Sequence, residues 1–507
     1  MSSNVKDLLL GIDFGSGGCK ATIIDCSGNL AGEAAVEYPT HYPHPGWSEQ
    51  TPADWYDAMC RALAMIREQG VDFNRIAAIA PDGSTHNAVL LDAAMVPVRD
   101  TIMWTDQRST AECEELKNIC GEKIFATAFQ SATPTWTLPQ LRWLSKHEPE
   151  VLQKTRHILF VKDYIRYLLT GVAVTDYIEA QGTLFFDMKN NCWSYELAAL
   201  AGVTPEMLPE LVTPETVTGT VTAQAARDTG IPAGTPVVCG TSDSAAEDYG
   251  AGAIEPGDAI VKLATAGNVN VMTASPHPHA RTLTYSHVIK GMYYTVSATN
   301  AAAVCQRWFR DNFCGVEIAA AAKSRSKTFA LMDELAQQSP PGANGVFFHP
   351  YLQGERSPYW DSDLRGSFTG ISMASTRGDF SRALLEGVAF SLRDCRTLID
   401  ELDLPMKRIF LIGGGARSAL WSEIVCNVMN VPVTLPQPGD AGFGAALIAG
   451  TGVGIFPDAA AAVRTCLKIS GTVEPDAELA GFYAGKFETY RKIHDAMAPV
   501  YREMKQL

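Results

Sequence analysis

The sequence predicts a mixed α/β protein built in two parts. At 507 residues the chain is long enough for two large domains. Residues 8–14 and 19–25 are apolar runs separated by a glycine-rich turn, which predicts a β-hairpin rather than a strand leading into a helix. Residues 259–263 and 268–272 repeat the same order of strand, small-residue turn and strand. We therefore expect two domains of a similar plan.

Between and after the two hairpins, strand and helix patterns alternate. Residues 52–68 begin at Pro52 and carry apolar residues at helical spacing, which predicts a helix. Further helices are predicted over 138–146, 163–169, 377–401, 418–429 and 445–450, and further strands over 30–38, 76–80, 236–240 and 408–412. The turn Glu255-Pro256-Gly257-Asp258 predicts a boundary, with one domain over residues 1–253 and the other over 254–507.

The composition excludes several classes of function. The net charge is −15 and no Lys/Arg run forms a basic stripe, so we expect no nucleic-acid partner. No stretch of about 18 apolar residues is present, so we expect no membrane span. The 12 cysteines form no C-x-x-C pair and lie in apolar segments, which is typical of reduced core thiols. A cytoplasmic enzyme is the expectation.

The first chemical motif is the turn of the opening hairpin. Gly15, Ser16 and Gly17 expose backbone amides that can hold a phosphate, and Lys20 could add a polar contact. Asp13 ends the strand before the turn, where a carboxylate could hold a cation. A plain hairpin turn with a surface aspartate is the alternative.

A second glycine motif joins a strand to a helix. Gly413, Gly414 and Gly415 allow a flat ring or a phosphate to approach the backbone, next to a helix N-terminus that attracts anions. The alternative is a simple turn in which Ser418 caps the helix.

The third motif places a carboxylate among small residues. Asp243 follows a buried strand within Gly240-Thr241-Ser242-Asp243-Ser244-Ala245-Ala246, where it could act as a general base toward a hydroxyl group. The alternative is a helix N-cap.

A fourth segment makes these motifs recognisable as a set. It carries Gly354-Glu355-Arg356, Trp360-Asp361, Arg365-Gly366 and the run from Arg382 to Phe390. The four segments, in this order, resemble the FGGY family of carbohydrate kinases over residues 8 to about 500. The resemblance implies an α/β fold of two actin-like (ribonuclease H-like) ATPase domains with an interdomain cleft.

The resemblance also implies the cofactors and the roles of several residues. ATP would contact Gly15, Ser16, Gly17, Lys20, Thr265, Gly413, Gly414, Gly415 and Arg417. Asp13 matches the family's acid associated with Mg2+, and Asp243 matches its catalytic base. The first domain is expected on the sugar-binding side and the second on the nucleotide-binding side.

Segments on the sugar side resemble the xylulokinase members of the family. The predicted sugar-binding residues are Ser84, Thr85, His86, Trp104, Asp106 and Asp243. Ser84-Thr85 stand where the family usually has Gln-Met, and Ala264-Thr265-Ala266-Gly267 replaces the usual Gly-Thr-Ser-Gly.

The resemblance implies phosphorylation of a terminal sugar hydroxyl, D-xylulose to D-xylulose 5-phosphate in the first place. The alternatives are a kinase for ribulose, gluconate, glycerol or a related ketose, polyol or sugar acid, and a non-catalytic sugar or nucleotide sensor. An actin-like or chaperone-like ATPase is disfavoured by the sugar-side segments over residues 44–108. A small-molecule sugar is the expected partner, and a homodimer is possible.

Overall fold

In the computed structural model, two large sheets of seven strands each are accompanied by smaller two-stranded sheets. The structure describes residues 6–324 and 327–504. Its strands are β1 Leu8–Gly15, β2 Gly18–Asp25, β3 Leu30–Glu37, β4 Glu49–Gln50, β5 Ile76–Gly83, β6 Ala88–Leu91, β7 Thr101–Ile102, β8 His157–Phe160, β9 Val174–Asp176, β10 Phe186–Asp187, β11 Cys192–Trp193, β12 Glu210–Val212, β13 Val217–Thr220, β14 Pro236–Val238, β15 Thr241–Ser242, β16 Asp258–Leu263, β17 Gly267–Thr273, β18 Leu283–Ser286, β19 Tyr293–Thr299, β20 Phe347–His349, β21 Ser367–Thr369, β22 Arg408–Ile412, β23 Val433–Gln437 and β24 Lys468–Val473.

Helices cover both sheets. They are α1 Pro52–Glu68, α2 Thr110–Ala128, α3 Thr137–His147, α4 Pro149–Lys154, α5 Val161–Thr170, α6 Tyr177–Gln181, α7 Tyr195–Ala199, α8 Ala223–Thr229, α9 Asp243–Gly250, α10 Ala303–Phe313, α11 Gly315–Lys323, α12 Thr328–Gln337, α13 Arg377–Asp400, α14 Ala419–Met429, α15 Ala441–Gly452, α16 Ala459–Cys466 and α17 Ala477–Met504. Among the described residues, no helix has both the length and the apolar character that crossing a membrane requires.

The two large sheets share one plan. In the first, the order is β13-β14-β5-β1-β2-β3, with β15 also paired to β5; in the second, it is β18-β19-β17-β16-β22-β23-β24. Each contains an antiparallel hairpin, β1–β2 or β16–β17, whose first strand also pairs in parallel with a later strand, β5 or β22. The repeated hairpin predicted from the sequence is confirmed, as is the mixed α/β class.

Burial explains why the central strands are apolar on both faces. β1 and β5 are buried along almost their whole length, because helices cover the sheet on both sides. β3 alternates buried and exposed residues, as expected for a strand with one face in solvent.

Helix α15 comes from the second half of the chain but packs on the first sheet. Phe443, Leu447 and Ile448 share a buried cluster with Leu9 and Val238. The helix is buried all round along Ala441–Gly450, which accounts for its uniformly apolar sequence. The domain boundary between residues 253 and 254 stays a prediction. The packing of α15 shows that a helix from the second half of the chain contacts the sheet of the first half.

The start of α15 differs from the sequence expectation. The sequence predicts a glycine turn over 439–444 and a helix over 445–450, whereas the helix begins at Ala441. The glycines serve close packing rather than a turn. A Cβ on Gly444 would lie 2.0 Å from the Ala246 carbonyl oxygen in α9, and one on Gly11 in β1 would lie 1.9 Å from the Gly442 carbonyl oxygen.

We expect Gly444→Ala to lower the free energy of unfolding by about 1–3 kcal/mol, because an added methyl group must separate α15 from α9. Gly481→Ala is the matched control, since nothing lies within 4 Å of its Cβ position in α17. Better helix propensity should leave that variant unchanged or up to about 1 kcal/mol more stable. Chemical denaturation measures both, and a Gly444→Ala protein as stable as wild type would contradict this packing.

Candidate active site

Two aspartates lie side by side at the ends of β1 and β5. Asp13 and Asp82 are partners in the parallel register of these strands. Asp82 is fully buried and Asp13 is partly buried. Among the described residues, Asp13 Oδ1 and both carboxylate oxygens of Asp82 lack a hydrogen-bond partner. Three acceptor oxygens therefore face no donor of another residue at this point of the sheet, and the two carboxyl groups can hydrogen-bond each other only by sharing a proton.

The environment of this pair disfavours negative charge. Burial, followed by the charge of Asp243, raises the pKa of Asp13 to about 7. Burial, followed by the charge of Asp13, raises the pKa of Asp82 well above its usual range. Carboxyl groups with little solvent and no facing cation hold protons more tightly, so this point of the sheet is suited to receiving a cation.

Asp243 adds a third carboxyl group to this cluster, because it directly follows β15, which pairs in parallel with β5 at Asp82 and Gly83. It is the first residue of α9, and its Oδ1 accepts hydrogen bonds from the Ser244 amide at 2.6 Å and the Ser244 hydroxyl at 3.2 Å. Burial raises the pKa of Asp243 to about 6, although Lys262 opposes the shift. The carboxylate is ionised at neutral pH and is a stronger base than an exposed aspartate.

The first hairpin turn is tied to the predicted sugar side. Ser16 Oγ accepts a hydrogen bond from Trp104 Nε1 at 2.8 Å, and the Gly15 carbonyl accepts one from the Tyr38 hydroxyl. A Cβ on Gly17 would meet nothing within 4 Å. The turn is therefore fixed at its base and open at its tip, as an anion-binding loop requires.

Lys20 lies directly across from Asp13 in the β1–β2 register but is paired elsewhere. Its ammonium is 2.7 Å from Asp440 Oδ2 and 2.8 Å from Glu33 Oε2. Asp440 also caps α15 by accepting from the Phe443 amide. Lys20 thus links the first hairpin to the N-terminus of α15, and any contact with a nucleotide would compete with this pairing.

The second hairpin turn lies beside the triple glycine. Thr265 is exposed, and its Oγ1 accepts a hydrogen bond from Arg307 at 2.6 Å. Gly413 has a φ of 90°, and a Cβ there would lie 2.6 Å from the Leu263 carbonyl oxygen. Glycine is required at this position both by the backbone conformation and by the close approach.

The rest of the glycine motif leads into α14. Gly414 has open space around its Cβ position, and Arg417 is the exposed last residue of a short 3-10 helix. Ser418 accepts a hydrogen bond from the Trp421 amide at 3.0 Å. The capping role considered for Ser418 is therefore confirmed, and it coexists with an exposed glycine surface.

His86, predicted to contact the sugar, is buried and held in place by its neighbours. Its Nδ1 lies 2.8 Å from the Gly182 carbonyl oxygen, so Nδ1 donates and Nε2 is left as an acceptor. Burial lowers the pKa of His86 to about 4, so the ring is neutral at pH 7. Trp136 packs edge-on against it at 4.3 Å between ring centroids.

A chain of hydrogen bonds joins the sugar loop to the phosphate turn. The Trp104 amide donates to Asn87 Oδ1 at 2.6 Å, and Asn87 Nδ2 donates to Ser84 Oγ at 2.7 Å. The Ser84 amide donates to the Phe14 carbonyl, beside Asp13. Thr85 packs against Gly182, where an added Cβ would lie 2.4 Å from its hydroxyl oxygen.

Asp106 is committed to holding a loop. Its carboxylate accepts hydrogen bonds from the Ser48 amide at 2.6 Å and from the Arg108 guanidinium at 2.8 and 2.9 Å. Arg108 in turn stacks over Trp47, with 3.8 Å from its Cζ to the ring centroid. These contacts assign Asp106 the task of positioning the loop, and direct contact with a sugar stays a prediction.

Sequence reasoning missed three groups beside this site. Asp82 lies two residues beyond the strand predicted over 76–80, and it comes to stand at a strand end only because β5 extends to Gly83. Glu179 in α6 is buried, and neither of its carboxylate oxygens has a hydrogen-bond partner among the described residues. Tyr285 in β18 packs against Trp136, with 6.2 Å between ring centroids, and so brings a residue of the second half next to the ring that contacts His86. No local sequence signal marks Glu179 or Tyr285.

Comparisons with known proteins agree with this architecture. Models of the FGGY family of carbohydrate kinases match residues 8–250 (N-terminal domain) and 260–453 (C-terminal domain). The chain is similar to a xylulose kinase of Staphylococcus epidermidis, at 30% identity over 99% of this chain and 98% of the relative. It is also similar to a gluconokinase of Bacillus subtilis, at 28% identity over 85% and 84% of the two chains. The crystal structure of a xylulose kinase from Rhodospirillum rubrum superimposes with a TM-score of 0.87, at 30% identity over 98% of this chain and 100% of that one.

We expect Asp243→Asn to stabilise the metal-free protein at pH 8. The raised pKa means that the folded state binds a proton more tightly than the unfolded chain, so wild type loses stability as the pH rises from about 4 to about 6. The neutral amide avoids that loss. The Tm of Asp243→Asn should therefore exceed that of wild type only slightly at pH 4.5, and the difference should reach its maximum above pH 7. Glu68→Gln removes an exposed carboxylate of α1 and serves as control. An Asp243→Asn advantage that does not change with pH would contradict this electrostatic account.

Proposed function

This chain belongs to the FGGY family of carbohydrate kinases, and from this premise we propose that it transfers the γ-phosphoryl group of ATP to a terminal hydroxyl of D-xylulose. The observation that carries the proposal is the position of Asp243. Its carboxylate belongs to the same acidic cluster as Asp13, which precedes the first hairpin turn, and as Asp82, which precedes the sugar loop. A base between a phosphate site and a hydroxyl site is what phosphoryl transfer to a sugar needs.

Asp243 is the proposed catalytic base. It orients the sugar hydroxyl and accepts its proton as the oxygen attacks phosphorus. Its pKa of about 6 keeps it ionised at neutral pH while making it more basic than an exposed aspartate. The Ser244 amide and hydroxyl both bond to Oδ1, which leaves Oδ2 as the oxygen suited to the sugar.

Asp13 and Asp82 suit a magnesium ion. Their unsatisfied oxygens are the hard ligands that Mg2+ prefers. No group of three or more ligating side chains suited to a metal occurs in residues 6–324 or 327–504, which fits an ion held by one or two carboxylates together with phosphates and water. When bound, the ion would neutralise phosphate charge. The same ion would favour ionised carboxylates in both aspartates.

The nucleotide contacts are proposed for the two hairpin turns and the triple glycine. The amides of Gly15–Gly17 and the hydroxyl of Thr265 would face the phosphates, and Gly413–Gly415 with Arg417 would face the adenosine. The close packing of Gly413 on Leu263 supports this assignment, because it joins the adenosine and phosphate segments into one surface.

The sugar contacts are proposed for Ser84, Thr85, His86 and Trp104. Neutral His86 would accept a hydrogen bond from a sugar hydroxyl at Nε2, because Nδ1 is engaged with Gly182. The hydrogen bond from Trp104 to Ser16 supports coupling between sugar and phosphate sites, since a shift of either turn moves the other.

The larger assignments follow the same reasoning. We propose that residues 1–253 form the sugar-binding side and residues 254–507 the nucleotide-binding side, with the cleft between them closing to exclude water. A homodimer stays a prediction.

The similarity to a gluconokinase supports a second candidate, a kinase for a sugar acid. Ribulose and glycerol are further alternatives, because one or two pocket residues can decide which hydroxyl pattern is accepted.

A coupled assay of ADP release with Mg-ATP should separate these substrates. We expect the highest kcat/KM with D-xylulose and at least about tenfold lower values with D-ribulose, D-gluconate and glycerol, since a lost hydroxyl contact leaves buried polar groups unpaired. The sugar-free ATPase rate is the control. Preference for gluconate would establish the second candidate. ADP release that no sugar accelerates would contradict a kinase and favour a sensor or a simple ATPase.

A further inference from the structure

Lys262 places an ammonium group beside the catalytic carboxylate. The residue lies in β16, three positions before Thr265, and pairs with Asn268 across the second hairpin. Its side chain is 30% exposed, so it is neither sealed in the core nor free in solvent. No assignment made above uses this cation.

Helix α9 presents two carboxylates to this lysine. Asp243 and Glu247 are four residues apart and therefore lie on the same face of the helix. Lys262 forms an ion pair with Glu247 and also lowers the pKa of Asp243, so its charge acts on both groups. Behind this pair, Asn270 Nδ2 bonds both carboxylate oxygens of Asp248, at 2.9 and 3.0 Å.

The neighbouring carboxylates keep Lys262 charged. Burial works against an ammonium ion, but Glu247, Asp243 and Asp248 outweigh it, and the pKa of Lys262 is raised. Lys262 therefore carries its charge close to Asp243, in the strand that leads into the second phosphate turn. Two further cations approach the phosphate turns: Lys20 is paired with Asp440 and Glu33, and Arg307 donates a hydrogen bond to Thr265 in the second turn.

We propose that Lys262 is a catalytic residue whose ammonium contacts the phosphoryl group during its transfer. The proposal rests on the kinase activity proposed above and adds a contact to it. A bond forms between the sugar oxygen and the γ-phosphorus, and the bond from that phosphorus to the β–γ bridging oxygen breaks. ADP leaves with the electron pair, the sugar proton goes to Asp243, and Lys262 keeps its protons.

The local charges explain why a cation is needed at this point. Asp243 and Glu247 would together oppose the approach of a polyphosphate, because both carboxylates lie on the same face of α9. The second phosphate turn has alanine at positions 264 and 266, so Thr265 supplies its only side-chain hydroxyl. A fixed ammonium would offset the repulsion by the carboxylates and would add a hydrogen-bond donor to the turn. Its effect would be greatest in the transition state, where negative charge spreads over the phosphoryl oxygens.

A purely structural role is the competing explanation. The ion pair of Lys262 with Glu247 could simply fasten β16 to α9. In that case removal of either partner should have the same effect, because each variant breaks the same pair. If the ammonium itself contacts the phosphoryl group, loss of the lysine should be far more harmful than loss of the glutamate.

Three variants separate these explanations in the ADP-release assay. We expect Lys262→Met to lower kcat by about 10²–10³-fold, which is typical for the loss of one preorganised donor to a transition state. Lys262→Arg should recover part of that loss because it keeps the charge. Glu247→Gln breaks the pair but keeps the ammonium, and it should lose less than about tenfold. Equal losses for Lys262→Met and Glu247→Gln would overturn the proposal.

A binding measurement separates the two explanations further, because a purely structural role of Lys262 would not change how aluminium fluoride affects nucleotide affinity. Calorimetry gives the affinity for Mg-ADP with sugar present, with and without aluminium fluoride, which mimics the phosphoryl group in transit. We expect fluoride to tighten binding in wild type and not in Lys262→Met, while affinity for Mg-ADP alone stays the same. Equal tightening in both proteins would overturn the role of Lys262 alone. A wild-type protein without sugar-dependent ADP release would overturn the proposed function as well.

Discussion

The crowding of three carboxyl groups is the constraint on which the site depends. Asp13, Asp82 and Asp243 come from two adjacent parallel strands and a helix start, and each has its pKa raised by burial. Burying these carboxyl groups close together costs folding free energy, because no cationic side chain of the described residues lies among them to balance their negative charge. The rest of the fold has to supply that free energy. A metal cation or a sugar hydroxyl that binds there would reduce this electrostatic cost. Ligand binding should therefore stabilise the folded protein.

The fold meets this constraint by close contact between glycines. Gly11 of β1 touches Gly442, and Gly444 of α15 touches Ala246 of α9, so backbone packs directly on backbone around the acidic cluster. Asp440 begins α15 and binds Lys20 of the first hairpin. One helix from the second half of the chain thereby fixes the first hairpin and α9 relative to one another. The repeated sheet plan provides two hairpin turns. Helix α15 determines how α9, which carries Asp243, is placed relative to the turn of the first hairpin.

The sequence predicts the local elements better than the contacts between them. The two hairpins and α1 follow from glycine turns and apolar periodicity. The glycines at 442 and 444 are assigned to a turn, because local patterns do not distinguish a glycine that bends the chain from one that admits a neighbouring helix. For the site, Asp13 and Asp243 are marked by strand ends and by the resemblance, whereas Glu179 and Tyr285 come close to the candidate site only through tertiary packing. Asp82 lies two residues beyond the strand predicted over 76–80, and it becomes informative only when the parallel register places it beside Asp13.

The central claim is that Asp243 directs the phosphoryl group of ATP to a sugar and not to water. A single-turnover reaction with limiting Mg-ATP and excess D-xylulose, followed by 31P NMR, measures sugar phosphate and inorganic phosphate separately. The account predicts that wild type yields sugar phosphate almost alone. It predicts that Asp243→Ala yields neither product at a comparable rate although it still binds Mg-ADP. Sugar phosphate formed by Asp243→Ala at a rate near that of wild type would contradict the account.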